Sequence, residues 1–375
     1  MINFWSYKEE YKKNNKLILN IINKTLKRGN IFFGDEVKKF EKSFAKKYKS
    51  KYAVAVGSGT DAILIALKAI SIKPGDEIIT AANTAIPTIS AIRSLGGIPR
   101  LVDIDNDYLM NIDLIEREIN NKTKAIIPVH LYGQTCQMDK INNISRKYKI
   151  KIIEDCAQSQ GAKYKGKYAG TFGVLGCFSF YPTKILGAYG DGGLILTNDK
   201  KLYLKAKRIR FYGIETLNKK NKFNKKYYAN EEGINSRLDE MQSSILNYKM
   251  KRLNKDIFRR RLLAKKYIKS LSNTNLTLPI ERKNNFHVYH LFTVFHIKAS
   301  KIIKLLKKNG IETRVIYPYP IQKMTAYKDL IKNKDRLKNS LYISTKIFCL
   351  PLYPEIKNKQ VNYIINKLKK ILDII

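Results

Sequence analysis

The sequence is poor in cysteine, histidine and tryptophan. Its 375 residues include four cysteines, four histidines and one tryptophan. The cysteines lie far apart, at Cys136, Cys156, Cys177 and Cys349, with neither the paired spacing of a zinc site nor the density of a disulfide framework. We therefore expect no metal and no disulfide, and a reducing, cytoplasmic compartment.

Long hydrophobic runs are also missing. No segment reaches the roughly 18 apolar residues of a membrane span, so none is predicted. The start of the chain, MINFWSYKEEYKKNN, has no apolar stretch and no small-residue cleavage site of a secretory signal. Hydrophobic residues still make up 44% of the chain, which excludes a disordered protein. This length is typical of one large domain with a smaller one beside it.

Acidic residues are scarce. There are 31 of them against 72 lysines and arginines, which gives a formal net charge of +41. A nucleic-acid-binding or regulatory protein would use such charge to neutralise phosphates. However, the lysines are spread over the whole chain, and no helix-turn-helix, finger or aromatic RNA-binding motif accompanies them. We predict no nucleic-acid partner and keep that class as an alternative, since the same field would speed encounter with an anionic substrate.

Apolar periodicity predicts an α/β fold over residues 50–210. Residues 35–48 have a helical pattern, with Val37, Phe40, Phe44 and Tyr48 on one face. Helical patterns then separate most of the earlier strand-like runs. Those runs are KYAVAV, DEIIT, IPRLVDI, KAIIPVHL, KIKIIED, GVLGCFSFY and GGLILTN. Such alternation is typical of a largely parallel sheet covered by helices on both faces.

The second half of the sequence predicts a loop, a long helix and a small α+β domain. The lysine-rich stretch LNKKNKFNKKYY, at 217–228, indicates a loop, and residues 237–270 have a long helical pattern. Strand-like HVYHLFTVFHI and helical SKIIKLLKKNG follow. His287 and His290 would face opposite sides of that strand, which favours a structural role over a metal site. We predict a large domain over 1–250 and a small one over 251–375.

Candidate functional residues follow the predicted strands, because parallel sheets bind ligands beyond the carboxyl ends of their strands. The first candidate is the segment from Gly57 to Asp61, GSGTD, between a strand and a helix. Free amides and the dipole at the start of that helix would favour a phosphate. The segment lacks the ending of a Walker loop and the third glycine of a dinucleotide fingerprint. A purely structural turn remains an equal alternative.

Asp155 and Lys184 are the other two candidates. Asp155 ends the apolar strand KIKIIED, where a carboxylate is costly unless it meets a cation. A pyridinium nitrogen would serve, and a helix cap or a metal ligand are the alternatives. Lys184 follows a strand in FSFYPTKILGAYGDGG. A partly buried lysine has a lowered pKa and attacks aldehydes, whereas the alternative is an ordinary loop lysine.

The string around Lys184 resembles the DegT/StrS family of nucleotide-sugar aminotransferases. SGTDAI and EDCAQSQGA precede YPTKILGAYGDGG in that family's order. Other matching segments are GDEVKKFEKSFAKKY, ANTAIPTISAI, VHLYGQTCQMD, GINSRLDEMQSSIL, HVYHLF, YPYPIQ and LPLYPE. The resemblance covers nearly the whole chain. It implies the type I fold of pyridoxal-phosphate transferases and a homodimer with two active sites at its interface.

The resemblance also implies roles for individual residues. Lys184 matches the lysine that binds pyridoxal 5′-phosphate covalently, and Asp155 matches the acid facing the pyridine nitrogen. Gln158 matches the residue near the phenolic oxygen of the cofactor. The matches to phosphate ligands are Gly59, Thr60, Ser179 and, from the partner subunit, Asn235. Tyr317, within YPYPIQ, matches a residue near the sugar nucleotide.

The implied activity is transfer of an amino group, commonly from L-glutamate, to a nucleotide-linked keto-deoxysugar for amino-sugar or polysaccharide biosynthesis. The TKxLGAxGDGG form resembles members that act at C3 of the sugar more than those that act at C4. Relatives that dehydrate sugars carry histidine at the position of Lys184, so the lysine favours transamination, with a pyridoxal-phosphate sugar dehydratase as the alternative. Ala85 replaces the aromatic residue that often stacks on the cofactor, and Gln322 replaces a common histidine.

Overall fold

The structure is a computed structural model that describes residues 1–214, 227–330 and 334–375. The helices are α1 (Tyr7–Lys27), α2 (Asp35–Tyr48), α3 (Gly59–Ala69), α4 (Ile86–Arg93), α5 (Met138–Tyr148), α6 (Lys200–Ile209), α7 (Glu240–Leu271), α8 (Ala299–Lys308), α9 (Lys338–Ser344) and α10 (Asn358–Leu372). The strands are β1 (Tyr52–Val56), β2 (Glu77–Ala81), β3 (Ile98–Val102), β4 (Thr123–Ile127), β5 (Lys151–Asp155), β6 (Lys163–Tyr164), β7 (Lys167–Tyr168), β8 (Leu175–Ser179), β9 (Gly193–Thr197), β10 (Asn285–Phe286), β11 (Phe292–Phe295) and β12 (Ile347–Leu350).

A seven-stranded sheet in the order β1-β9-β8-β5-β4-β2-β3 forms the centre of the fold. Strand β9 runs antiparallel to β1 and β8, whereas β8, β5, β4, β2 and β3 pair in parallel. The predicted mostly parallel sheet flanked by helices is thus confirmed. Because β1, β5 and β8 run in the same direction, the residues that follow them meet at one edge of the sheet.

Helices α2 and α3 show how the sequence pattern produces this packing. The predicted face of α2 is buried, and Phe40 and Phe44 are completely shielded from solvent. Helix α3 begins where the Ser58 hydroxyl accepts a hydrogen bond from the amide of Asp61, at 3.1 Å. The apolar side chains of α3 then pack on the central sheet. Capping and periodicity together fix where this helix starts and which face it buries.

A smaller antiparallel sheet, β11 with β12, lies in the C-terminal part of the chain. Its apolar residues share a core with α8, α10 and the end of α7. The predicted strand over HVYHLFTVFHI is wrong in its first half, because only Phe292–Phe295 pairs. Residues 287–291 form an irregular connection in which Tyr289 takes a left-handed backbone, with φ +48°. Both histidines are nevertheless buried there.

Two features of the predicted domain organisation stay predictions, namely the boundary between the two domains and the loop at 217–228. The division at residue 250 stays a prediction, and α7 runs through that position without a break. The predicted loop at 217–228 falls, except for its last two residues, outside the described residues. Within the described ranges, no helix combines the length and the apolar character that crossing a membrane requires.

Candidate active site

A cavity of about 840 Å³ opens at the carboxyl edge of the central sheet. All the residues predicted for the site line this cavity, except Asn235. Those residues are Gly59, Thr60, Asp155, Gln158, Ser179, Lys184 and Tyr317. The structure therefore brings together positions that lie more than 250 residues apart in the chain. Their individual roles stay predictions.

Lys184 lies in the connection between β8 and β9. Its backbone amide donates a hydrogen bond to the carbonyl of Tyr181, at 2.9 Å, which folds the connection into a tight turn. Gly187 is needed there, because a Cβ at this position would lie 2.4 Å from the carbonyl oxygen of Pro182. Burial lowers the pKa of the Lys184 amine to about 8, although the nearby Asp155 carboxylate acts in the opposite direction. About a tenth of the amine is therefore unprotonated and nucleophilic at pH 7, far more than for a lysine with the ordinary pKa of about 10.4.

This pKa predicts the pH dependence of Lys184 modification in the cofactor-free protein. Since the unprotonated amine reacts, we expect its labelling rate by an amine-directed reagent to rise with pH and to level off above about 8. The labelling rate of exposed lysines in the same digest should keep rising until the pH approaches their ordinary pKa of about 10.4. Peptide mass analysis across a pH series measures both. A Lys184 profile that matches the exposed lysines would contradict the burial argument.

Asp155 is a buried carboxylate with two hydrogen bonds and no ion pair to any described residue. Its side chain is 4% exposed. One oxygen accepts from the Thr88 hydroxyl at 2.8 Å, and the other accepts from the amide of Ala157 at 3.1 Å. A buried charge of this kind is stable only beside a cation. A protonated pyridine nitrogen in the cavity would supply that charge, so Asp155 fits pyridoxal phosphate.

Gln158 connects two tyrosines at the cavity wall. Its side-chain oxygen accepts a hydrogen bond from the amide of Tyr132, and its side-chain nitrogen donates to the hydroxyl of Tyr317, both at 2.9 Å. Burial raises the pKa of Tyr317, so its phenol stays protonated at neutral pH and can donate a hydrogen bond. The two predicted residues therefore act as a unit, and a change at one is expected to move the other.

The start of α3 fits a phosphate group. Ser58 satisfies the amides of Asp61 and Ala62, at 3.1 and 3.0 Å. The amides of Gly59 and Thr60 have no acceptor in the described part of the chain. A Cβ on Gly59 would lie 2.6 Å from the Cβ of Ser179, so only glycine allows this close approach. Free amides at a helix N-terminus beside a serine are suited to binding an anion.

Glu154, the neighbour of Asp155, has a different environment. Its carboxylate accepts hydrogen bonds from the amides of Gly170, Phe172 and Gly173 at 2.6–2.8 Å. His130 lies 2.9 Å from the same carboxylate through Nε2, while its Nδ1 accepts from the amide of Cys136. These bonds occupy the groups that could otherwise bind a metal together with Cys156. Glu154 therefore anchors the loop at 170–173.

The resemblance also singles out Asn235, Ala85 and Gln322, and only Ala85 lines the cavity. Asn235 is exposed and lies outside this cavity, where it bridges to Phe211. A contribution from the partner subunit therefore stays a prediction. Ala85 does line the cavity, together with Ile86 and Pro87, at the start of α4. Gln322 does not line it and instead donates a hydrogen bond to Ser340 in the interior, at 2.8 Å.

Sequence reasoning missed Thr88, Trp5 and Arg260, which all contribute to the site. Thr88 holds Asp155, and nothing local to its sequence indicates a contact over that distance. Trp5 lines the cavity from the N-terminal segment. Arg260 also lines it, and a signal was present, because Arg260 falls on the buried stripe of α7 formed by Leu253, Ile257, Ala264 and Tyr267.

The comparison with protein families agrees with this geometry. The model of the DegT/DnrJ/EryC1/StrS aminotransferase family matches residues 12–369. The chain belongs to this family. Its enzymes depend on pyridoxal 5′-phosphate. The free amides of α3, the carboxylate of Asp155 and the half-buried amine of Lys184 fit the phosphate, the ring nitrogen and the aldehyde of that cofactor. The predicted family, cofactor and enzyme class are confirmed.

Curated and solved relatives span the whole chain. A dTDP-3-amino-3,4,6-trideoxy-α-D-glucose transaminase of Micromonospora megalomicea is 36% identical over 374 residues, which cover 98% of each chain. A dTDP-3-amino-3,6-dideoxy-α-D-galactopyranose transaminase of Aneurinibacillus thermoaerophilus is 38% identical and covers 99% of each. The structure of NtdA from Bacillus subtilis, solved with bound cofactor PMP, is 32% identical, with a TM-score of 0.88 over 99% of this chain and 83% of that one. The type I aminotransferase fold is confirmed.

Proposed function

We propose that this aminotransferase moves an amino group from L-glutamate to the C3 keto group of a nucleotide-diphosphate-linked deoxysugar. The observation that carries the proposal is the presence of the half-buried Lys184 and the buried Asp155 in one large cavity. Family membership supports the amino transfer, and two relatives named for 3-amino sugars support C3 over C4. The product would supply amino-sugar or polysaccharide biosynthesis in the cytoplasm, which the four free, buried cysteines support.

Each residue of the cavity would have a separate role in the reaction. Pyridoxal phosphate, when bound, supplies an aldehyde and an electron-withdrawing ring. Lys184 would bind that aldehyde and, once released from it, carry a proton between two carbon atoms. Asp155 would keep the ring nitrogen protonated, while Gly59, Thr60 and Ser179 fix the phosphate so that the reacting bond stays aligned. Gln158 and Tyr317 would orient the ring oxygen and the sugar.

The experiment that tests this function is an assay for 2-oxoglutarate formed from L-glutamate. The purified holoenzyme is incubated with keto-sugar nucleotides that differ in the position of the keto group, in the sugar and in the nucleotide. Formation of 2-oxoglutarate with a 3-keto sugar, and not with the 4-keto isomer, would support the proposal. Loss of water from the sugar without 2-oxoglutarate would instead show a dehydratase, and no reaction with any keto-sugar would refute the proposed substrate class.

A homodimer with shared active sites is part of the proposal, and Asn235 is its test. Because Asn235 is exposed and does not line the cavity of its own chain, we infer that it would reach a phosphate in the cavity of a second copy. We expect Asn235→Ala to weaken cofactor binding about tenfold, as for the loss of one hydrogen bond to a charged group. Titration of the cofactor-free dimer by absorbance measures this effect, and sedimentation confirms the dimer. Unchanged affinity in a confirmed dimer would exclude Asn235 from the phosphate site.

A further inference from the structure

Two helices in the C-terminal part of the chain carry lysines and no acidic residue. Helices α8 and α10 contain four lysines each. The nearest acids along the chain are Glu281 and Glu312 on either side of α8, and Glu355 and Asp373 on either side of α10. Both helices are described in full, and none of their residues lines the main cavity. Their positive charge is therefore separate from the candidate active site and is not cancelled within either helix.

Helices α8 and α10 lie side by side and antiparallel, as a contact near each end shows. The side-chain amine of Lys298, just before α8, contacts the carbonyl oxygen of Ile375, just after α10. Near the other end of α8, the Tyr363 hydroxyl donates a hydrogen bond to the carbonyl oxygen of Asn309, at 3.1 Å. The buried sides of both helices pack into the core that they share with β11 and β12. Their outward sides therefore adjoin.

The helical repeat brings the lysines of these outward sides together. Residues three, four and seven positions apart lie on the same side of a helix. Two exposed isoleucines lie at the end of this surface where Lys298 meets Ile375, namely Ile297 and Ile374, which are 59% and 71% exposed. We call this surface the basic face, and it consists of Lys301, Lys304 and Lys308 of α8, Tyr363, Lys367 and Lys370 of α10, and the two isoleucines.

The five lysines of the basic face have no acidic partner among the described residues. The Lys367 amine lies 5.5 Å from the ring centre of Tyr363, and the other four lysines are exposed. Lysines around α5 differ, because acids of the same surface pair with them at 2.8–4.0 Å. Those pairs are Lys140–Asp113, Lys147–Glu116 and Lys165–Asp139. The field of the basic face is therefore not cancelled locally, and it attracts an extended anionic partner.

We propose that the basic face docks this protein on the surface of a membrane that contains anionic lipids. Four to eight lysines on an amphipathic helix suit anionic headgroups, and each lysine near such a surface strengthens binding about fivefold. The two isoleucines would enter the boundary between headgroups and acyl chains. The main cavity would stay open, because no residue of the basic face lines it. This inference is independent of the proposed function.

The composition of the basic face favours a membrane over a nucleic acid or a second copy of this chain. All its cations are lysines, whereas arginine is the usual residue for binding the phosphates of nucleic acids. Exposed isoleucines gain nothing from a phosphate backbone, but they gain from contact with acyl chains. Two copies of the face would repel each other, because both are positive.

The test is cosedimentation of the holoenzyme with vesicles of phosphatidylcholine alone and of phosphatidylcholine mixed with phosphatidylglycerol. We expect binding to the anionic vesicles only, weakening as salt is raised. Glutamine replaces lysine in the test variant at small cost, because both favour helices. This variant should bind anionic vesicles about 100-fold or more weakly than the wild type. Its substitutions are Lys301→Gln, Lys304→Gln, Lys367→Gln and Lys370→Gln.

The matched control removes four exposed lysines around α5, where acids lie nearby. Its vesicle binding should stay within about threefold of the wild type, because surface ion pairs add little and the basic face is intact. Cofactor loading and thermal unfolding should be normal in both variants. An equal loss of vesicle binding in the control would mean that net charge alone binds, and would overturn the inference. The control substitutions are Lys140→Gln, Lys147→Gln, Lys149→Gln and Lys165→Gln.

A double variant, Ile297→Ser with Ile374→Ser, distinguishes a membrane from a nucleic acid. We expect it to bind anionic vesicles about tenfold more weakly, because it loses apolar contact with the lipid, and to bind a DNA duplex like the wild type. Wild-type protein that binds neutral vesicles equally well, or binds no anionic vesicles, would overturn the inference. DNA binding that depends on the four lysines, together with vesicle binding that is unchanged in the double variant, would overturn it in favour of a nucleic-acid partner.

Discussion

Replacing Lys184 with alanine is expected to abolish transamination while leaving the fold intact. In the proposed mechanism a single amine, that of Lys184, binds the cofactor aldehyde and later transfers the proton, so we expect turnover to fall by at least about 10³-fold. The Lys184 side chain makes no hydrogen bond or ion pair to a described residue, so its removal costs the folded state little. Turnover of L-glutamate with a reactive keto-sugar measures the effect.

The position of the covalent link gives an independent readout. After reduction of the cofactor-loaded enzyme with borohydride, mass analysis should find the cofactor on the peptide that contains Lys184 and nowhere in the Lys184→Ala protein. Lys200→Ala, at the exposed start of α6, is the matched control and should retain both the adduct and full turnover. Wild-type turnover in Lys184→Ala, or an adduct on another lysine, would refute the assignment.

Asparagine in place of Asp155 is expected to lower the rate of amino transfer by about 100-fold or more, as for the loss of a preorganised charge in a water-excluded site. Asparagine has nearly the same shape, and its side-chain oxygen can still accept the hydrogen bond from the amide of Ala157, while its NH2 group would face the Thr88 hydroxyl as a donor. The change therefore removes the negative charge and reverses one hydrogen bond, which the Thr88 hydroxyl can accommodate by donating to the hydroxyl of Thr84, 2.9 Å away. In the proposed mechanism Asp155 would hold the ring nitrogen protonated, so its loss would weaken the electron-withdrawing effect of the ring.

Thr88→Val separates the effect of the Asp155 charge from the effect of the hydrogen bond that holds this carboxylate in place. This variant removes the 2.8 Å hydrogen bond to the carboxylate but keeps the charge, so we expect a smaller loss of rate, about tenfold. Steady-state kinetics of both variants with the same donor and acceptor provide the comparison. An Asp155→Asn enzyme with an unchanged rate would mean that Asp155 does not face the ring nitrogen. A Thr88 variant that loses more than Asp155→Asn would indicate that the hydroxyl has a role of its own.

The parts of the fold that the sequence predicts well are those with a regular apolar period. The face of α2 and the strands of the central sheet follow directly from spacing, because one buried face imposes one repeat. The segment around His287 and His290 is different. Its alternation is that of a strand, but the left-handed backbone at Tyr289 interrupts pairing, and only the surrounding core decides such a turn.

The candidate site shows the same division between local and distant information. Lys184, Asp155 and Gly59 are each recognisable from the residues beside them, because each lies in a short motif of its own that follows or ends a predicted strand. Thr88 is recognisable only through Asp155, far along the chain, and the carbonyls that hold Arg260 also lie outside its own helix. Long-range hydrogen bonds leave no local pattern, and in a run of three arginines only the helical period distinguishes the buried one.

Strand β5 ends in two adjacent carboxylates that belong to opposite sides of the sheet. Glu154 is held by three amides on one side, and Asp155 faces the cavity on the other. Deleting or inserting one residue within β5 would turn each carboxylate to the opposite face, because neighbouring side chains of a strand alternate between faces. An acid that reached the place of the other would then be one methylene longer or shorter than the side chain that this place accommodates. The anchoring of the loop at 170–173 and the chemistry of the cavity would then fail together. We therefore expect β5 to tolerate the exchange of its apolar residues far better than the insertion or deletion of a single residue.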